Sequence, residues 1–487
     1  MGKTKIESIL AILLVPFMML FAGMGTTASA DDNSLQKIKE AGVLTVATSP
    51  DYPPFEFRAT INGKSEDVGM DIEVAKQIAK DLGVKLKIMN MDFGSTLVAV
   101  QTGKVDMAIT GVNPTDERRQ SVDFSDIYYN GGQSFLIQKK DLKKYKSAKA
   151  LHGAKIGTQT GSLQQTLSKK YFSDSTLSSM EKTPNLVFSL KSGKLDAVGV
   201  ETPVAATYVE NNKDLAMINA GYTLDKNETG AAVAFAKGSD SLAAAVNKSI
   251  AKIQKQHLTD DYLKTAAKYM KGNTKDTSMM HYWKYFYNGF LNTTLIAVVA
   301  VVFGILLGIL LVLMKLSAWK LLSWPATAYI EIVRGTPMMV QVLLVYFGLG
   351  AIVNLPALLA GIIAVALNSA AYVAEIIRGG INSLDKGQKE AAQSIGLNKV
   401  DTMRFVVLPQ AFKNIWPSLG NEFISVVKES SIVSIIGVSD LIYQLNVVRA
   451  DTYRAVAPIV VVMVIYFLMT FTLTRLLNHF ERKMNHD

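Results

Sequence analysis

The sequence contains no cysteine among its 487 residues. That absence excludes disulfide bonds, thiolate metal sites, cysteine nucleophiles and lipid attachment through a cysteine. The five histidines are scattered, and none pairs with another at metal-ligand spacing. We therefore expect no metal site and no cofactor.

Several enzyme signatures are also missing. No G-x-x-x-x-G-K-[ST] motif is present, so the chain does not encode a phosphate-cradling ATP site. No nucleophile–base pair stands out, which argues against a membrane-tethered enzyme, and we expect no catalytic residues. The net charge is +10, but basic stripes with interleaved aromatic residues are absent, so nucleic acid is not an expected partner.

Residues 1–30 have the pattern of a targeting segment. Lys3 and Lys5 form a positive start, an apolar run follows over 9–22, and a small-residue cleavage site closes the segment at 28–30. The apolar run is short and contains a proline, so a cleaved signal peptide is predicted, with an uncleaved anchor as the alternative. Either way, we expect the following domain to be exported.

Residues 31–272 have the composition of a soluble α/β domain. Strands are predicted for 43–47, 85–88 and 105–109. Apolar residues repeat at helical spacing from Ile72 to Leu82, and Gly83 marks the end of that helix. Alternation of strands and helices predicts mostly parallel sheets, which bind ligands at the carboxyl ends of their strands.

The motifs of this region resemble those of the polar amino-acid family of periplasmic-type binding proteins. They comprise residues 69–74, 115–118, 123–125, 161–162 and 195–198. The resemblance covers nearly all of 41–270 and implies a type II two-lobed fold with a two-strand hinge. It implies lobe 1 over about 41–132 and 226–270, and lobe 2 over about 133–225.

The resemblance also implies a pocket for one amino acid. Arg118 is the expected carboxylate clamp, because a guanidinium binds a carboxylate with two hydrogen bonds. Glu201 is the expected partner of the ammonium group, and Tyr52 and Phe93 are the expected aromatic walls. The predicted substrate contacts also include Thr110, Gly111, Asn113 and Ser162, the last three through backbone N–H groups.

The residues leave the substrate side chain open. Ser49 and Gln159 are neutral hydrogen-bonding residues, which suit an amide such as that of glutamine. A cationic side chain, as in arginine or lysine, requires an acid, which Asp51 or Glu56 could supply. Both substrate classes stay open at this point.

The second half of the chain predicts a membrane domain over 289–487, after a polar linker over 273–288. Segments long and apolar enough to cross a bilayer are predicted at about 291–314, 326–350, 355–377, 417–438 and 456–477. We expect five spans in an all-α domain, with the second and fourth the least regular because they contain charges. The tether keeps the exported domain at the membrane.

The basic residues predict the orientation of these spans. An exported first domain and five spans leave the C-terminus inside the cell. The segments assigned to the inside carry Lys315, Lys320, Arg334, Arg378, Lys386, Lys389, Lys399, Arg404, Lys413, Arg475, Arg482 and Lys483. The outside loops carry only Arg449 and Arg454, which is the positive-inside bias. We expect a multi-pass protein of a bacterial plasma membrane.

A polar stretch over 386–409 interrupts the apolar segments. Asp385 can cap a helix here together with Gln388, and Gly396 can end that helix. Ala391, Ala392 and Ile395 share one face that could enter a groove on another protein. The alternative for such a short segment is a solvated loop helix.

The pattern E-A-A-x-x-x-G from Glu390 to Gly396, followed by Leu408-Pro409, resembles the EAA loop of ABC importer permeases. Val406 stands where that family usually has isoleucine. Further motifs of the polar amino-acid (HisM/GlnP-type) branch lie at 332–337, 368–380, 386–388, 408–410 and 421–424. The resemblance implies docking of a cytoplasmic ATPase through Glu390, Ala391, Ala392 and Gly396. One permease domain per chain implies a homodimer with two ATPase subunits.

Ionisable residues at membrane depth are functional candidates by default. They are Glu331, Glu375, Glu422, Lys428 and Glu429. Glu422, Lys428 and Ser431 could line a translocation path, although pairing that only fixes helix packing is the alternative.

The leading hypothesis is therefore the binding and permease subunit of an ATP-driven importer of polar amino acids. The alternative is an amino-acid-gated channel or receptor, since glutamate receptors use the same binding fold. Such a protein needs a re-entrant filter or a signalling domain, and neither is evident in the sequence.

Overall fold

The computed structural model of the chain describes residues 32–61, 64–222, 228–273, 278–351, 353, 355–452, 454 and 456–486. The predicted signal peptide, residues 1–30, lies outside the described residues.

The N-terminal half contains these strands: β1 Val43–Thr48, β2 Asp51–Tyr52, β3 Glu56–Ile61, β4 Lys64–Val68, β5 Lys85–Asn90, β6 Met107–Ala108, β7 Val122–Tyr129, β8 Gln133–Gln138, β9 Lys155–Gln159, β10 Thr176–Met180, β11 Ala197–Glu201, β12 Leu215–Asn219 and β13 Ala231–Ala236. Its helices are α1 Ser34–Ala41, α2 Met70–Leu82, α3 Phe93–Gln101, α4 Asp116–Arg119, α5 Leu163–Tyr171, α6 Thr183–Lys191, α7 Thr202–Asn211, α8 Asp240–Lys255 and α9 Leu258–Asn273.

These elements form two lobes, each built on a five-stranded sheet. The strand order is β5-β1-β6-β13-β7 in lobe 1 and β10-β9-β11-β8-β12 in lobe 2. The chain leaves lobe 1 after β7 and enters lobe 2 at β8, and it returns between β12 and β13. The first crossing agrees with the predicted boundary at 132, whereas the second predicted boundary, at 225, lies outside the described residues.

Both sheets are mixed rather than mostly parallel, so that expectation needs correction. In lobe 1, β1 runs parallel to β5 and β6, but β13 is antiparallel to β6 and β7. In lobe 2, β9 is parallel to β10 and β11, but β8 is antiparallel to β11 and β12. The antiparallel strands are those next to the two crossings, where the chain passes from one lobe to the other.

Two local predictions can be compared with the structure. Helix α2 ends at Gly83 as predicted, because this glycine adopts a left-handed φ of 74° that favours a residue without Cβ. Strand β6 is shorter than predicted and covers only Met107–Ala108. Asp106 precedes it and accepts hydrogen bonds from the Thr45 N–H (2.7 Å) and hydroxyl (2.6 Å), so a side chain replaces part of the strand ladder.

The membrane half is helical. Its helices are α10 Trp283–Lys315, α11 Lys320–Gly335, α12 Met338–Leu343, α13 Ala357–Asn382, α14 Lys386–Ser394, α15 Lys399–Asp401, α16 Leu408–Glu429, α17 Leu441–Thr452 and α18 Ala457–His486. Short 3₁₀ and π segments connect them at Met279–Tyr282, Leu344–Gly348, Leu349–Ala351, Thr402–Val407 and Ser430–Ile436.

Three helices in the described residues are long and apolar enough to span a membrane, and two bent pairs raise the number to as many as five. The first bent pair covers residues 320–348, overlaps the second predicted span and bends by 114°. The second covers residues 399–449, extends beyond both ends of the fourth predicted span and bends by 54°. The first bend lies at Pro337, which has no N–H to continue the helix. Gln341 donates hydrogen bonds across that break to the carbonyl oxygens of Val333 (2.7 Å) and Thr336 (3.1 Å).

The linker prediction also differs from the structure. Residues 273–288 do not form one polar linker, because a 3₁₀ turn begins at Met279 and α10 begins at Trp283. Tyr282 and Phe286 are buried against Leu441 in the membrane half. Aromatic residues in the supposed linker therefore join the core of the second half.

Close packing of α10 against α13 organises the membrane half. Gly304 and Gly308 lie one helical turn apart, and each faces α13 without a side chain between the helices. A Cβ at Gly308 would approach Val373 to 2.7 Å, so a larger residue requires the helices to separate. Small residues at this spacing are a common basis of close helix contact in membranes.

Candidate functional site

A narrow cavity lies between the two lobes, at the ends of their central strands. Its volume is about 10 Å³, which is room for about one water molecule, so the lobes are closed on each other. Its lining is Ser49, Asp51, Tyr52, Glu56, Phe93, Thr110, Gly111, Asn113, Gln159, Ser162, Gln164 and Glu201. Every substrate contact predicted from the sequence except Arg118 is in this lining, and Arg118 stands over one wall.

Arg118 bridges the two lobes. It lies on α4, which Thr115 caps by accepting a hydrogen bond from the Arg118 N–H (3.4 Å). The guanidinium donates to the carbonyl oxygens of Asn113 in lobe 1 (2.7 Å) and Gly161 in lobe 2 (2.8 Å). It also lies over the ring of Phe93, 5.5 Å from its centroid. Burial lowers the pKa of Arg118 to about 10, so the side chain keeps its charge at neutral pH.

Glu201 occupies the same end of the cavity. It is the last residue of β11 and is only 3% exposed. Asn113 donates its side-chain N–H to Glu201 Oε1 (3.0 Å), and the Glu201 backbone N–H donates to the Tyr52 hydroxyl (3.0 Å). Burial raises the pKa of Glu201 to about 8, and the Asn113 hydrogen bond only partly opposes that shift. A ligand ammonium group would favour the charged form of this carboxyl.

Glu56, one of the two acids considered for a cationic side chain, is committed to the protein. Thr110 donates its hydroxyl to Glu56 Oε1 (2.7 Å), and the neighbouring Asp71 accepts the Gly111 N–H (2.6 Å). Burial, followed by the repulsion of Asp71, raises the pKa of Glu56 well above its usual value. Glu56 is thus engaged by lobe 1 itself, which leaves Asp51 as the acid to consider for a cationic side chain.

Asp51, the other acid, lies at the opposite end of the cavity and is 6% exposed. Its Oδ1 accepts from the Ser49 hydroxyl (3.3 Å), and its Oδ2 lies 3.2 Å from Lys182 Nζ in lobe 2. Lys182 also contacts Asp92 Oδ1 (2.6 Å), so one ammonium group bridges two carboxylates. We name Asp51, Asp92 and Lys182 the acidic triad, whose formal charge is −1.

The acidic triad is a pair of carboxylates sharing a cation across the lobe boundary. Burial raises the pKa of Asp51, and Lys182 opposes that shift. Burial acts to lower the pKa of Lys182, but the attraction of Asp51 and Asp92 raises it by more, so the pKa lies above its usual value. Lys182 therefore carries a full charge, and the sequence analysis missed both Lys182 and Asp92. No motif marks either residue, and about ninety positions separate them.

The two neutral residues predicted to hold an amide are engaged by the protein. The Ser49 hydroxyl donates to Asp51, and the Gln159 side-chain N–H donates to the Glu181 carbonyl oxygen (3.0 Å). Gln164, which the sequence analysis also missed, donates to the side chain of Gln133 (2.9 Å). The Ser49 hydroxyl and one of the two side-chain N–H groups of each glutamine are therefore engaged by the protein in this geometry.

Both lobes contact the membrane half. From lobe 1, Arg58 lies over the Tyr443 ring at 5.1 Å, and Lys104 donates to the Leu355 carbonyl oxygen. From lobe 2, Phe188 lies under the guanidinium of Arg449 at 4.9 Å. Helix α17, which carries Tyr443 and Arg449, thus touches both lobes of the closed domain.

The predicted docking helix is present as α14. Asp385 caps it by accepting the Gly387 N–H (2.6 Å), and Gly396 follows its end with a left-handed φ of 95°. Ala391 and Glu390 are exposed, and Ile395 is 80% exposed. Ala392 is only 4% exposed, so it packs inside this half and cannot enter a groove on a partner. That part of the predicted face needs correction.

A groove of about 430 Å³ runs along α14. Asp385, Lys386, Lys389, Glu390 and Gln393 line it on one side, and Met403 and Val407 line it on the other. The groove combines charged rims with an apolar floor, which suits a protein partner.

The membrane carboxylates fall into two environments. Glu375 forms ion pairs with Lys315 (2.6 Å), Arg378 (2.9 Å) and Arg334 (3.4 Å), so its surroundings support the packing alternative. Glu422 accepts a hydrogen bond from Ser369 (3.0 Å).

The other two members of the predicted path lie further along the chain. Lys428 is exposed and Ser431 is half-buried in the 3₁₀ segment that follows α16. Within the part of the chain that the structure describes, no hydrogen bond or ion pair joins Glu422, Lys428 and Ser431 to one another.

Two families account for most of the sequence. Residues 44–271 match the bacterial extracellular solute-binding proteins, family 3. Residues 281–486 match the binding-protein-dependent transport system inner membrane component.

The two halves are similar to separate proteins. The membrane half is 42% identical, over 36% of this chain and 80% of the relative, to the arginine transport system permease protein ArtQ of Bacillus subtilis. It is 40% identical, over 33% of this chain and 74% of the relative, to the putative glutamine transport system permease protein GlnP of Rickettsia typhi. The N-terminal half is 33% identical, over 50% of this chain and 91% of the relative, to the arginine-binding extracellular protein ArtP of Bacillus subtilis. Nothing in these similarities supports a channel or receptor.

Proposed function

Because the chain belongs to the amino-acid ABC transporters, with the solute-binding domain and the permease joined in one polypeptide, we propose that it captures a cationic L-amino acid outside the cell and delivers it to its own permease. The binding domain is assigned to about 31–272 and the permease to the residues from Met279 onward. The first 30 residues are assigned as its export signal.

The observation that carries the substrate class is the acidic triad. Asp51 faces the cavity, and its surroundings hold two carboxylates for one ammonium group. A positively charged side chain would balance that surplus, whereas a neutral amide would not. The Ser49 hydroxyl and one of the two side-chain N–H groups of Gln159, which would otherwise be available to the carbonyl oxygen of a ligand amide, are engaged elsewhere. An arginine-binding relative of the exported half supports the same class.

The remaining contacts follow from the chemistry of an α-amino acid. Arg118 binds the α-carboxylate, with backbone N–H groups near Gly111, Asn113 and Ser162 as further donors. Glu201 binds the α-ammonium group. Tyr52 and Phe93 flank the aliphatic part of the side chain, and the side-chain cation points to Asp51.

The orientation proposal rests on α13, which is 26 residues long and so roughly 39 Å from end to end. The N-terminus of α13 follows Leu355, which contacts the binding domain, and its C-terminus leads into α14. The binding domain and the docking helix therefore lie at opposite ends of the permease. We assign the N-terminus of α13 to the outside and α14 to the cytoplasm, in agreement with the positive-inside bias.

Transport requires partners beyond this chain. Since each chain carries one permease domain, we assign the transporter as a homodimer with two cytoplasmic ATPase subunits on the α14 grooves. ATP binding, transmitted through Glu390 and its neighbours, would then open the permease toward the binding domain.

The substrate class is tested by calorimetry on the full chain in lipid nanodiscs with L-arginine, L-lysine and L-glutamine. Asp51→Asn should weaken arginine binding about tenfold to a hundredfold, because a hydrogen bond to a charged group contributes roughly 1.5–3 kcal/mol. Glutamine binding should change little. Asp126→Asn, on an exposed position of lobe 1, is the matched control. Tighter binding of glutamine than of arginine by the wild-type chain would refute the proposal.

The docking assignment is tested separately by uptake into cells that express the transporter. Glu390→Ala should abolish uptake because Glu390 lines the docking groove, while amino-acid binding stays unchanged. Glu481→Ala, on α18, serves as the control for loss of a carboxylate elsewhere. Normal uptake by the Glu390 variant would contradict the docking role.

A further inference from the structure

A second cavity lies directly behind the acidic triad. It has a volume of about 320 Å³, within the usual range for small-molecule sites. We name it the transfer chamber and define it by Asp51, Asp92, Glu181, Lys182, Tyr443 and Arg449, which all line it. The chamber is thus lined by lobe 1, lobe 2 and helix α17 of the permease. In the part of the chain that the structure describes, Asp51 is the one lining residue that it shares with the amino-acid cavity.

The permease wall of the chamber offers a cation. Arg449 is supported on one side by the ring of Phe188, 4.9 Å from its guanidinium carbon. Its Nε is buried and has no hydrogen-bond acceptor among the described residues. The guanidinium of Arg449 lines the chamber and forms no ion pair with an Asp or Glu of the described residues. A carboxylate is the group that pairs best with a guanidinium, so this wall suits a carboxylate.

The opposite wall offers negative charge. Asp51 and Asp92 share Lys182, and Glu181 adds a third carboxylate to the same lining. Three carboxylates thus face one lysine, so the wall has room for another positive group. Positive and negative groups on facing walls complement a zwitterion, and α-amino acids are zwitterions at neutral pH.

The position of the chamber relates it to transport. A substrate that leaves the cleft on the permease side must pass Asp51, whose contact with Lys182 forms the partition between the two cavities. Parting of Lys182 from Asp51 would join the cavities and expose both carboxylates of the acidic triad to the substrate.

We propose that the transfer chamber is a second, weaker amino-acid site, which holds the substrate between its release from the cleft and its entry into the permease. Arg449 binds the α-carboxylate there, and the carboxylates around Lys182 bind the ammonium groups. This inference rests on the proposed function and adds a site to it.

Equilibrium binding of radiolabelled L-arginine to the full chain in nanodiscs tests the proposal, with L-glutamine measured in parallel. We expect a tight phase from the cleft and a separate, saturable phase at millimolar concentrations. Arg449→Ala should weaken the second phase tenfold or more and leave the tight phase unchanged. Arg118→Ala should remove the tight phase and leave the weak one.

Two comparisons make the outcomes separable. Arg454→Ala removes an exposed arginine outside the chamber and should change neither phase, which distinguishes a site from non-specific binding. Arg449→Lys keeps the charge and should restore part of the weak phase, and the retained tight phase reports that each variant is folded. A tight phase without a weak one, or a weak phase that Arg449→Ala does not change, refutes the proposed second site and leaves the proposed function standing. Absence of the tight phase from the wild-type chain overturns the proposed function instead.

Discussion

The two ends of the amino-acid cavity handle buried carboxylates in different ways. At one end, Glu201 receives a hydrogen bond from the neutral Asn113, and burial raises its pKa to about 8. At the other end, Asp51 is paired with Lys182, a cation supplied by the other lobe. The carboxylate of Glu201 therefore needs a positive charge from the ligand to stabilise it. The carboxylate of Asp51 is already partly neutralised by Lys182.

This difference has consequences for binding. An ammonium group at Glu201 favours the carboxylate, so binding near neutral pH releases a proton. A side-chain cation at Asp51 adds to an existing ion pair and meets a residual charge of −1. The α-ammonium end should therefore set the pH dependence of binding, and the triad end should set the selectivity.

The largest effect is expected at Arg118, which is proposed to bind the carboxylate that every α-amino acid carries. Arg118→Ala should weaken amino-acid binding by about 30-fold to several thousand-fold, because truncating one partner of a buried charge pair costs roughly 2–5 kcal/mol. The loss should be equal for arginine and glutamine, since both present the same carboxylate. Arg119→Ala, the next residue on α4, is the control, and calorimetry on the full chain measures both. A loss confined to one ligand would show that Arg118 contacts the side chain instead.

An intermediate effect is expected at the α-ammonium end. Glu201→Gln should weaken binding about tenfold to a hundredfold at pH 8, because the charged acceptor of the ammonium is lost. The pH dependence should change as well. In the wild-type chain the free carboxyl is protonated below about pH 8, so affinity should rise by up to tenfold per pH unit from pH 6 and level off near pH 8.

Binding isotherms between pH 6 and 8 measure this dependence. The Glu201 variant should show a flat profile, because no proton has to leave the site. Glu210→Gln, on an exposed position of lobe 2, should keep the wild-type slope. A slope that persists in Glu201→Gln would assign the titration to another group.

The smallest effect is expected at the triad end. Lys182→Met removes the internal cation and should increase the affinity for arginine by up to about fivefold, because the ligand cation then takes over a hydrogen bond to Asp51 worth roughly 1 kcal/mol. Glutamine should bind no better. Lys169→Met, an exposed lysine of the same lobe, is the control in the same calorimetric assay. Weaker binding of arginine would indicate instead that Lys182 serves mainly to hold the lobes together.

The two ends of the cavity also differ in how far their residues could be predicted from the sequence. Arg118 lies within a local motif and Glu201 follows another, while Tyr52 and Phe93 were predicted from the family resemblance, and the four predicted positions meet around one cavity. Lys182 carries no motif, and it reaches Asp51 only because the two lobes close. Contacts made by closure of two separately folded lobes leave no periodicity in either segment.

The membrane half follows the same rule. The long apolar runs predict α10, α13 and α18, because a span depends on local composition alone. The burial of Ala392 was not predicted, since the helical period places it beside the exposed Ala391 and Ile395. Which face of a short helix is covered depends on the neighbouring Thr402–Val407 segment, which is a tertiary property.

The central claim is that Asp51 and Glu201 bind two different positive charges of one ligand. Its most direct test compares L-arginine with L-citrulline, which has nearly the same shape but a neutral side chain, by calorimetry on the wild-type chain. We predict that arginine binds about tenfold or more tightly, with both ligands releasing a proton near pH 7. Equal affinities for arginine and citrulline would contradict the account.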